Sequence, residues 1–251
     1  MPFLDVIGLL ALGALLGFLG GLLGIGGGLF AIPLLAVILN LNEQHAQGTS
    51  LVMVVPNVMI GLWNYTRREN LDLRFSLTLA ASALPLTFIG AHFATHWPSS
   101  PLRLAFAIFT LCVAAATLFR AFAPARMEGR APVLPWPFAS LVGAFGGFLS
   151  GMFSVGGAIF SVPLMAALFG FSQAAAQGFG LALVAPGTLA GLAAYTAAGD
   201  VDWPVGLTLA AGSFAAVPYG VKLAVALPER RLQLCFAGLM VISAVTLILK
   251  R

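Results

Sequence analysis

Long apolar segments alternate with short polar ones along almost the whole chain. A helix needs about 20 predominantly apolar residues to cross the hydrocarbon core of a bilayer. Segments near or above that length are predicted as membrane-spanning helices, and they cover residues 3–23, 46–66, 75–95, 102–119, 138–153, 174–198, 205–227 and 232–249. The pattern therefore indicates an all-α polytopic membrane protein.

Two shorter apolar runs each follow a glycine-rich break, at residues 24–28 and 154–158. A single straight helix over 3–39 would be about 55 Å long at 1.5 Å per residue. The hydrocarbon core is only about 30 Å thick. The glycines are therefore predicted to interrupt the helix, so that 29–39 and 159–169 form half-helices that stop or turn back inside the membrane.

The second half of the chain repeats the first. GGLLGIGGGLFAIPLL at 20–35 returns as SGMFSVGGAIFSVPLM at 150–165, an offset of 130 residues (163 − 33 at the proline). Such internal duplication is typical of transporter folds. We predict two homologous membrane repeats of about four hydrophobic segments each, at 1–122 and 138–251, joined by a proline-rich cytoplasmic linker at 123–137.

The relative orientation of the two repeats depends on the glycine-broken elements. If each element crosses the membrane once, the repeats are parallel, and if each turns back, they are inverted. Counting Lys and Arg on each side gives about eight against three in both cases, so the positive-inside rule does not decide. The excess chain length in the broken element favours inverted repeats.

The composition excludes a soluble globular domain. The chain is 60% hydrophobic and 8% charged, with a mean hydropathy of +1.02, whereas soluble domains carry roughly a quarter charged residues. The net charge of +4 comes from basic residues at predicted helix ends, as membrane topology requires. The partner that this pattern indicates is the lipid bilayer and not a nucleic acid.

The glycine cores are candidate anion sites. Irregular backbone within a membrane is tolerated only where it is buried in protein or lines a cavity. The start of a half-helix offers free N–H groups and a partial positive charge, which bind anions. We therefore predict substrate contacts at Gly26, Gly27, Gly28, Gly156 and Gly157, whereas close helix packing accounts better for the glycines that precede the first core.

Prolines recur after both glycine cores and in the helices that follow. Each proline removes a backbone donor and frees a carbonyl, so we predict helix breaks at Pro33, Pro56, Pro163 and Pro186. A simple kink and the wall of a cavity are equally compatible with this pattern.

A few polar residues in predicted spans are further substrate candidates. They are Gln47, Thr49, Ser50, Asn57 and Gln177. The alternative is that they form hydrogen bonds between helices. Thr49 and Ser50 have no polar equivalents in the second repeat, so we expect an asymmetric site.

Lys222 lies within a predicted span, and its repeat equivalent is His92. A cation at this depth is a functional candidate, although a long side chain near a helix end can also reach the membrane surface. Tyr65 and Tyr195 end their predicted helices and are expected to anchor them at the membrane interface.

Enzyme motifs are absent from the sequence. There is no HExxH, GxSxG or Walker loop, and all eight acidic residues lie at predicted helix ends or loops. We therefore assign no catalytic residue, no metal ligand and no cofactor, and we do not expect an enzyme.

These motifs resemble the sulfite exporter TauE/SafE family, also called the 4-toluene sulfonate uptake permease family. The resemblance rests on the two glycine-to-proline stretches and on AQGTSL at 46–51 and AQGFGL at 176–181. It implies transport of sulfite, sulfonates and related anions, usually export across the bacterial inner membrane. The second copy has Ser154, Val155 and Ala158 where the first has Gly24, Ile25 and Gly28, so equal roles for the two copies are not implied.

Together these observations predict a multi-pass exporter of a small sulfur-containing anion that works by alternating access. The anion would sit between the two half-helices, held by backbone N–H groups with help from Gln47 and Gln177. An uptake permease, a passive anion channel and a membrane subunit that needs a partner are alternatives with the same fold. A homo-oligomer is compatible with the sequence.

Overall fold

The computed structural model describes residues 3–41, 43–96, 99–122, 134–153 and 158–249. Within these ranges the chain forms ten α-helices, one 3-10 turn at Trp136–Phe138 and no strand. The helices are α1 Phe3–Leu23, α2 Gly28–Ile38, α3 Glu43–Glu69, α4 Leu73–His96, α5 Ser99–Phe122, α6 Ala139–Phe153, α7 Ala158–Leu168, α8 Gln173–Ala198, α9 Trp203–Ala226 and α10 Glu229–Leu249.

The predicted all-α membrane class is confirmed. Five described helices are long and apolar enough to cross a bilayer, and the qualifying stretches are Val6–Leu23, Gln44–Glu69, Leu73–Gly90, Gln173–Ala198 and Trp203–Ala226. Each helix agrees with its predicted span to within about three residues, because the length of an apolar run fixes where a membrane helix can begin and end.

The first helix interruption occurs at the glycine core. Gly24, Gly26 and Gly27 have φ values of 66°, 71° and 88°, a region that other residues adopt only with strain. The half-helix α2 that follows has 11 residues and is therefore about 16 Å long, roughly half the thickness of the hydrocarbon core. The second core, with Gly156 and Gly157, lies outside the described residues.

The four prolines predicted as helix breaks lie inside helices instead. Pro33 is in α2, Pro56 in α3, Pro163 in α7 and Pro186 in α8. A proline removes one N–H and bends a helix without preventing the flanking turns from forming. The prediction of breaks at these prolines is therefore wrong.

Helices α1 and α9 pack side by side through small residues. A Cβ atom built on Gly17 would lie 2.7 Å from Ser213, so only glycine permits this approach. The residue numbers of the contacts increase along both helices in the same direction, so the helices run parallel. The contacts are Gly13 with Leu209, Gly17 with Ser213 and Gly21 with Val217.

The repeat equivalents of these two helices, α6 and α4, make the corresponding contact. Gly143 approaches Leu79 and Gly147 approaches Ala83, so α6 and α4 are also parallel. In both pairs one helix comes from each half of the chain. The two halves are therefore interleaved and do not form separate lobes.

Helices α3 and α8 are repeat equivalents and they run antiparallel. Gly48 approaches Tyr195, Gly61 approaches Leu181, and Gly178 approaches Tyr65. Residue numbers therefore increase along α3 where they decrease along α8. Inverted repeats require this relation between equivalent helices, whereas parallel repeats would make them parallel. The crossing supports the inverted arrangement, and its orientation in the membrane remains a prediction.

A matched pair of cysteine variants tests that orientation. Thr66 and Thr196 are equivalent positions, both exposed, near the ends of α3 and α8. Arg67 and Arg68 in the last turn of α3 predict a cytoplasmic location for that end by the positive-inside rule. In a chain whose native cysteines are replaced by alanine, an impermeant thiol reagent added to intact cells should label Thr196→Cys and spare Thr66→Cys until the cells are permeabilised. Labelling of both variants from the same side would contradict the inverted arrangement.

Candidate functional site

The glycine turn between α1 and α2 is held by polar groups from three helices. The carbonyl of Gly20 accepts hydrogen bonds from the N–H groups of Gly24 and Ile25, at 3.0 and 3.3 Å. The amide of Asn57 donates to the carbonyl of Gly26 at 3.3 Å and accepts from the hydroxyl of Ser213 at 2.7 Å. Asn57 therefore ties the turn to α3 and α9.

The first turn of α2 presents free donors. The N–H groups of Phe30 and Ala31 both donate to the carbonyl of Gly27, at 3.3 and 3.2 Å. Among the described residues, the N–H groups of 26–29 have no acceptor. These are the donors that any helix start leaves unsatisfied, and the helix dipole adds partial positive charge to them.

A small cavity of about 40 Å³ lies between the start of α2 and helices α3 and α8. A water molecule needs roughly 10–15 Å³ by the same measure, so the cavity has room for about three. Its walls combine a few polar groups with an apolar majority, and the lining residues are Ile25, Gly28, Ile32, Gln47, Ser50, Leu51, Val54, Val184, Thr188 and Tyr195. The glycine break thus lines a cavity, as irregular backbone in a membrane must if it is not fully buried in protein.

The polar side chains of this cavity are organised around Gln47. Its backbone carbonyl accepts from the hydroxyl of Ser50 at 2.8 Å, and its side-chain Oε1 accepts from the hydroxyl of Tyr195. The hydroxyl of Thr188 donates to the carbonyl of Ala185 at 2.9 Å. No acceptor for Gln47 Nε2 is present within the described ranges. The side-chain amide of Gln47 can therefore donate to a ligand as it stands. The hydroxyl groups can donate only if they rotate away from their present acceptors.

A second Gln–Tyr pair lies at the other end of the α3 and α8 crossing. Tyr65 Oη is 2.8 Å from both the carbonyl oxygen of Gly21 and Oε1 of Gln177. One hydroxyl proton cannot serve both acceptors fully. Both contacts are satisfied if Gln177 turns its amide to donate to Tyr65, whose hydroxyl then donates to Gly21.

The two pairs are reciprocal, because the offset of 130 residues converts Gln47 and Tyr195 into Gln177 and Tyr65. Tyr65 and Gln177 are both fully buried. The prediction that Tyr65 anchors the membrane interface is therefore wrong. Its side chain is packed inside the bundle against Gly21 and Gln177 and is not exposed at the surface of α3.

The position equivalent to the cavity in the second repeat lacks the hydroxyl groups of Ser50 and Thr188. Val58 stands where Thr188 would be, and Gly180 stands where Ser50 would be. Val58 is fully buried, and a Cβ on Gly180 would meet Val162 at 3.0 Å. At these two residues the second position is therefore packed and apolar, which agrees with the predicted asymmetry.

Two polar contacts join the start of α3 to the segment between α8 and α9. Nδ1 of His45, two residues before Gln47, is 3.0 Å from Oδ1 of Asp200. The hydroxyl of Thr49 accepts from the backbone N–H of Asp202 at 3.0 Å, and the Asp202 side chain caps α9. The buried Thr49 hydroxyl thus joins α3 to the start of α9 and does not line the cavity.

The structure brings together only part of the predicted site. Gly28, Gln47 and Ser50 line one cavity, while Gly26, Gly27 and Asn57 form or support the turn behind it. Lys222 is exposed on the surface of α9, and the side chain of His92 lies outside the described residues. Sequence reasoning missed Thr188 and the roles of both tyrosines, although the repeated Gln and Tyr positions were a usable signal.

An interleaved helical bundle with a broken membrane helix beside an internal cavity is typical of a membrane transporter. Residues 9–247 match the family described as "Sulfite exporter TauE/SafE". The chain belongs to this family.

Curated relatives carry transporter names. The chain is 25% identical over 247 residues to the "Probable membrane transporter protein YunE" of Bacillus subtilis, covering 92% of this chain and 89% of that one. It is 26% identical to "Probable membrane transporter protein MJ0441" of Methanocaldococcus jannaschii, with 81% and 79% covered. It is 24% identical to "Probable membrane transporter protein YdhB" of Bacillus subtilis, with 90% and 91% covered. The protein is thus a multi-pass membrane transporter of the TauE/SafE type, consistent with a bacterial inner-membrane location.

The two Gln–Tyr pairs should differ in their contribution to stability. Tyr65→Phe removes a buried hydroxyl and leaves Gly21 and Gln177 without it, which should lower the free energy of unfolding by about 1–3 kcal/mol. Tyr195→Phe should have a smaller effect, because water in the cavity can replace the lost hydrogen bond. Thermal melting of both variants in the same detergent measures the difference, and equal losses would show that the burial difference has no energetic consequence.

Proposed function

We propose that this protein exports a small sulfur-containing anion, sulfite or an organosulfonate, by alternating access. The observation that carries the proposal is the cavity at the glycine-opened start of α2, which is lined by Gly28, whose N–H has no acceptor among the described residues, and by Gln47. The family description supplies the class of substrate and the direction of transport. Relatives named as membrane transporters support a role without catalysis.

The cavity has the chemistry of an anion site. Helix starts bind anions because their N–H groups and dipole both favour negative charge. No Asp or Glu is among the described lining residues, so nothing in the wall repels an anion directly. The volume suits a ligand of a few heavy atoms, which is the size of sulfite or of a sulfonate headgroup.

Alternating access is supported by the crossing of α3 and α8. These helices come from different repeats, run antiparallel, and are joined by a Gln–Tyr pair at each end. In this conformation the Gln47 pair borders the cavity and the Gln177 pair is buried. A relative movement of the two repeats would open the α3 and α8 crossing at one Gln–Tyr pair and close it at the other. Gln177 and Lys222 would contact the anion only in another conformation, and Gly156, Gly157 and His92 remain predicted contacts.

A matched pair of glycine variants tests the site. Gly28 lines the cavity, and a Cβ placed there would lie 3.2 Å from Val54. Gly28 does not have the positive φ of Gly27, where any side chain would be strained. A leucine at position 28 should therefore fill the cavity and leave the backbone conformation intact.

Gly28→Leu should reduce sulfite flux from loaded proteoliposomes by at least about tenfold, the factor that corresponds to 1.4 kcal/mol. Gly8→Leu is the control, since a Cβ at Gly8 has no atom within 4 Å. Size-exclusion profiles and melting temperatures verify that both variants fold. Wild-type flux in a folded Gly28→Leu variant would overturn the proposed site.

A further inference from the structure

We propose that the cavity selects monovalent oxyanions, such as hydrogen sulfite and alkyl sulfonates, and excludes divalent sulfite and sulfate. This inference rests on the proposed function and specifies the charge of the transported anion. It follows from the balance of charged and neutral groups in and around the cavity.

The cavity wall contains no charged side chain among its described residues. Residues 154–157 lie outside the described ranges, and their sequence, Ser-Val-Gly-Gly, is also uncharged. Lys222 is exposed on α9 and is not part of the wall. An anion in the cavity is therefore stabilised only by dipoles.

Charged side chains beside the start of α3 do not favour a second negative charge. His45 Nδ1 is 3.0 Å from Asp200 Oδ1, and Asp202 is joined through its backbone to Thr49. Two carboxylates and one imidazole thus lie beside this helix start.

Desolvation makes the number of charges on the anion decisive. The Born cost of removing an ion from water increases with the square of its charge, so a dianion costs roughly four times as much as a monoanion. Its favourable interaction with fixed dipoles only doubles. The hydroxyl protons of Ser50, Thr188 and Tyr195 already bond to protein acceptors, so few donors are ready to offset that cost.

Sulfite itself provides a direct test, because it changes charge near neutral pH and an alkyl sulfonate does not. If only the monoanion binds, the apparent affinity for total sulfite falls with the monoanion fraction, by about tenfold per pH unit above the pKa of hydrogen sulfite. The affinity for methanesulfonate shows no such fall. Methanesulfonate therefore also controls for any pH-dependent change in the protein itself.

The experiment is calorimetric titration of the purified full-length protein with sulfite, methanesulfonate and sulfate between about pH 6 and about pH 8. We expect sulfite affinity to fall steeply with pH, methanesulfonate affinity to stay within about twofold, and sulfate to bind at least about tenfold more weakly than methanesulfonate. Sulfite affinity that is constant or rises with pH, or sulfate binding equal to that of methanesulfonate, would overturn the charge selection alone. Absence of binding for all three anions would instead overturn the proposed function, and this inference with it.

A charge variant tests whether the selection arises in this cavity. Gln47→Glu keeps the acceptor for Tyr195, removes the Nε2 donor and adds a negative charge, so methanesulfonate affinity should fall by at least about tenfold. Gln44→Glu is the control, because it makes the same change on the same helix at an exposed position. Equal methanesulfonate affinity in both variants would assign the binding to another part of the protein.

Discussion

The hydrogen bonding of backbone groups at the interrupted helix is the constraint on which the rest of this structure depends. An unsatisfied N–H or carbonyl in hydrocarbon costs several kcal/mol, so the turn between α1 and α2 must find its partners within the protein. Gly20 and Asn57 satisfy part of the turn. Among the described residues, the donors at the start of α2 have no acceptor, and one of these residues, Gly28, lines a cavity. The packing that encloses the turn and the proposed capacity to bind an anion thus have a common cause.

The same constraint explains where the few polar side chains of the bundle lie. Asn57 bonds to Ser213, Thr49 bonds to the backbone of α9, and each glutamine of the α3 and α8 crossing bonds to a tyrosine of the other helix. Each contact joins elements from different repeats or fixes the glycine turn. Among the described residues, the Gln47 pair borders the cavity and the Gln177 pair is buried. Ser50 and Thr188, which line the same cavity, have no polar equivalents in the other repeat, so this cavity is not duplicated with the fold.

Much of the architecture could be predicted from the sequence, because apolar length and glycine content act locally. The half-helix at Gly28–Ile38 differs by one residue at each end from its prediction, and the antiparallel crossing favours the inverted arrangement. The partners of polar side chains could not be predicted, since hydrophobic periodicity does not specify which helices touch. Tyr65 therefore seemed an interface residue, and Thr188 was overlooked within an apolar run. The prolines were predicted as breaks because their local effect was overestimated relative to the continuity of a packed helix.

The central claim is that the start of α2 binds the transported anion, and anomalous diffraction from a complex with selenite, the selenium analogue of sulfite, tests it most directly. The account predicts one dominant selenium peak in the cavity between α2, α3 and α8, within hydrogen-bonding distance of the Gly28 N–H and Gln47 Nε2. A dominant peak at the basic end of α3, beside Arg67 and Arg68, with no density in the cavity, would contradict it.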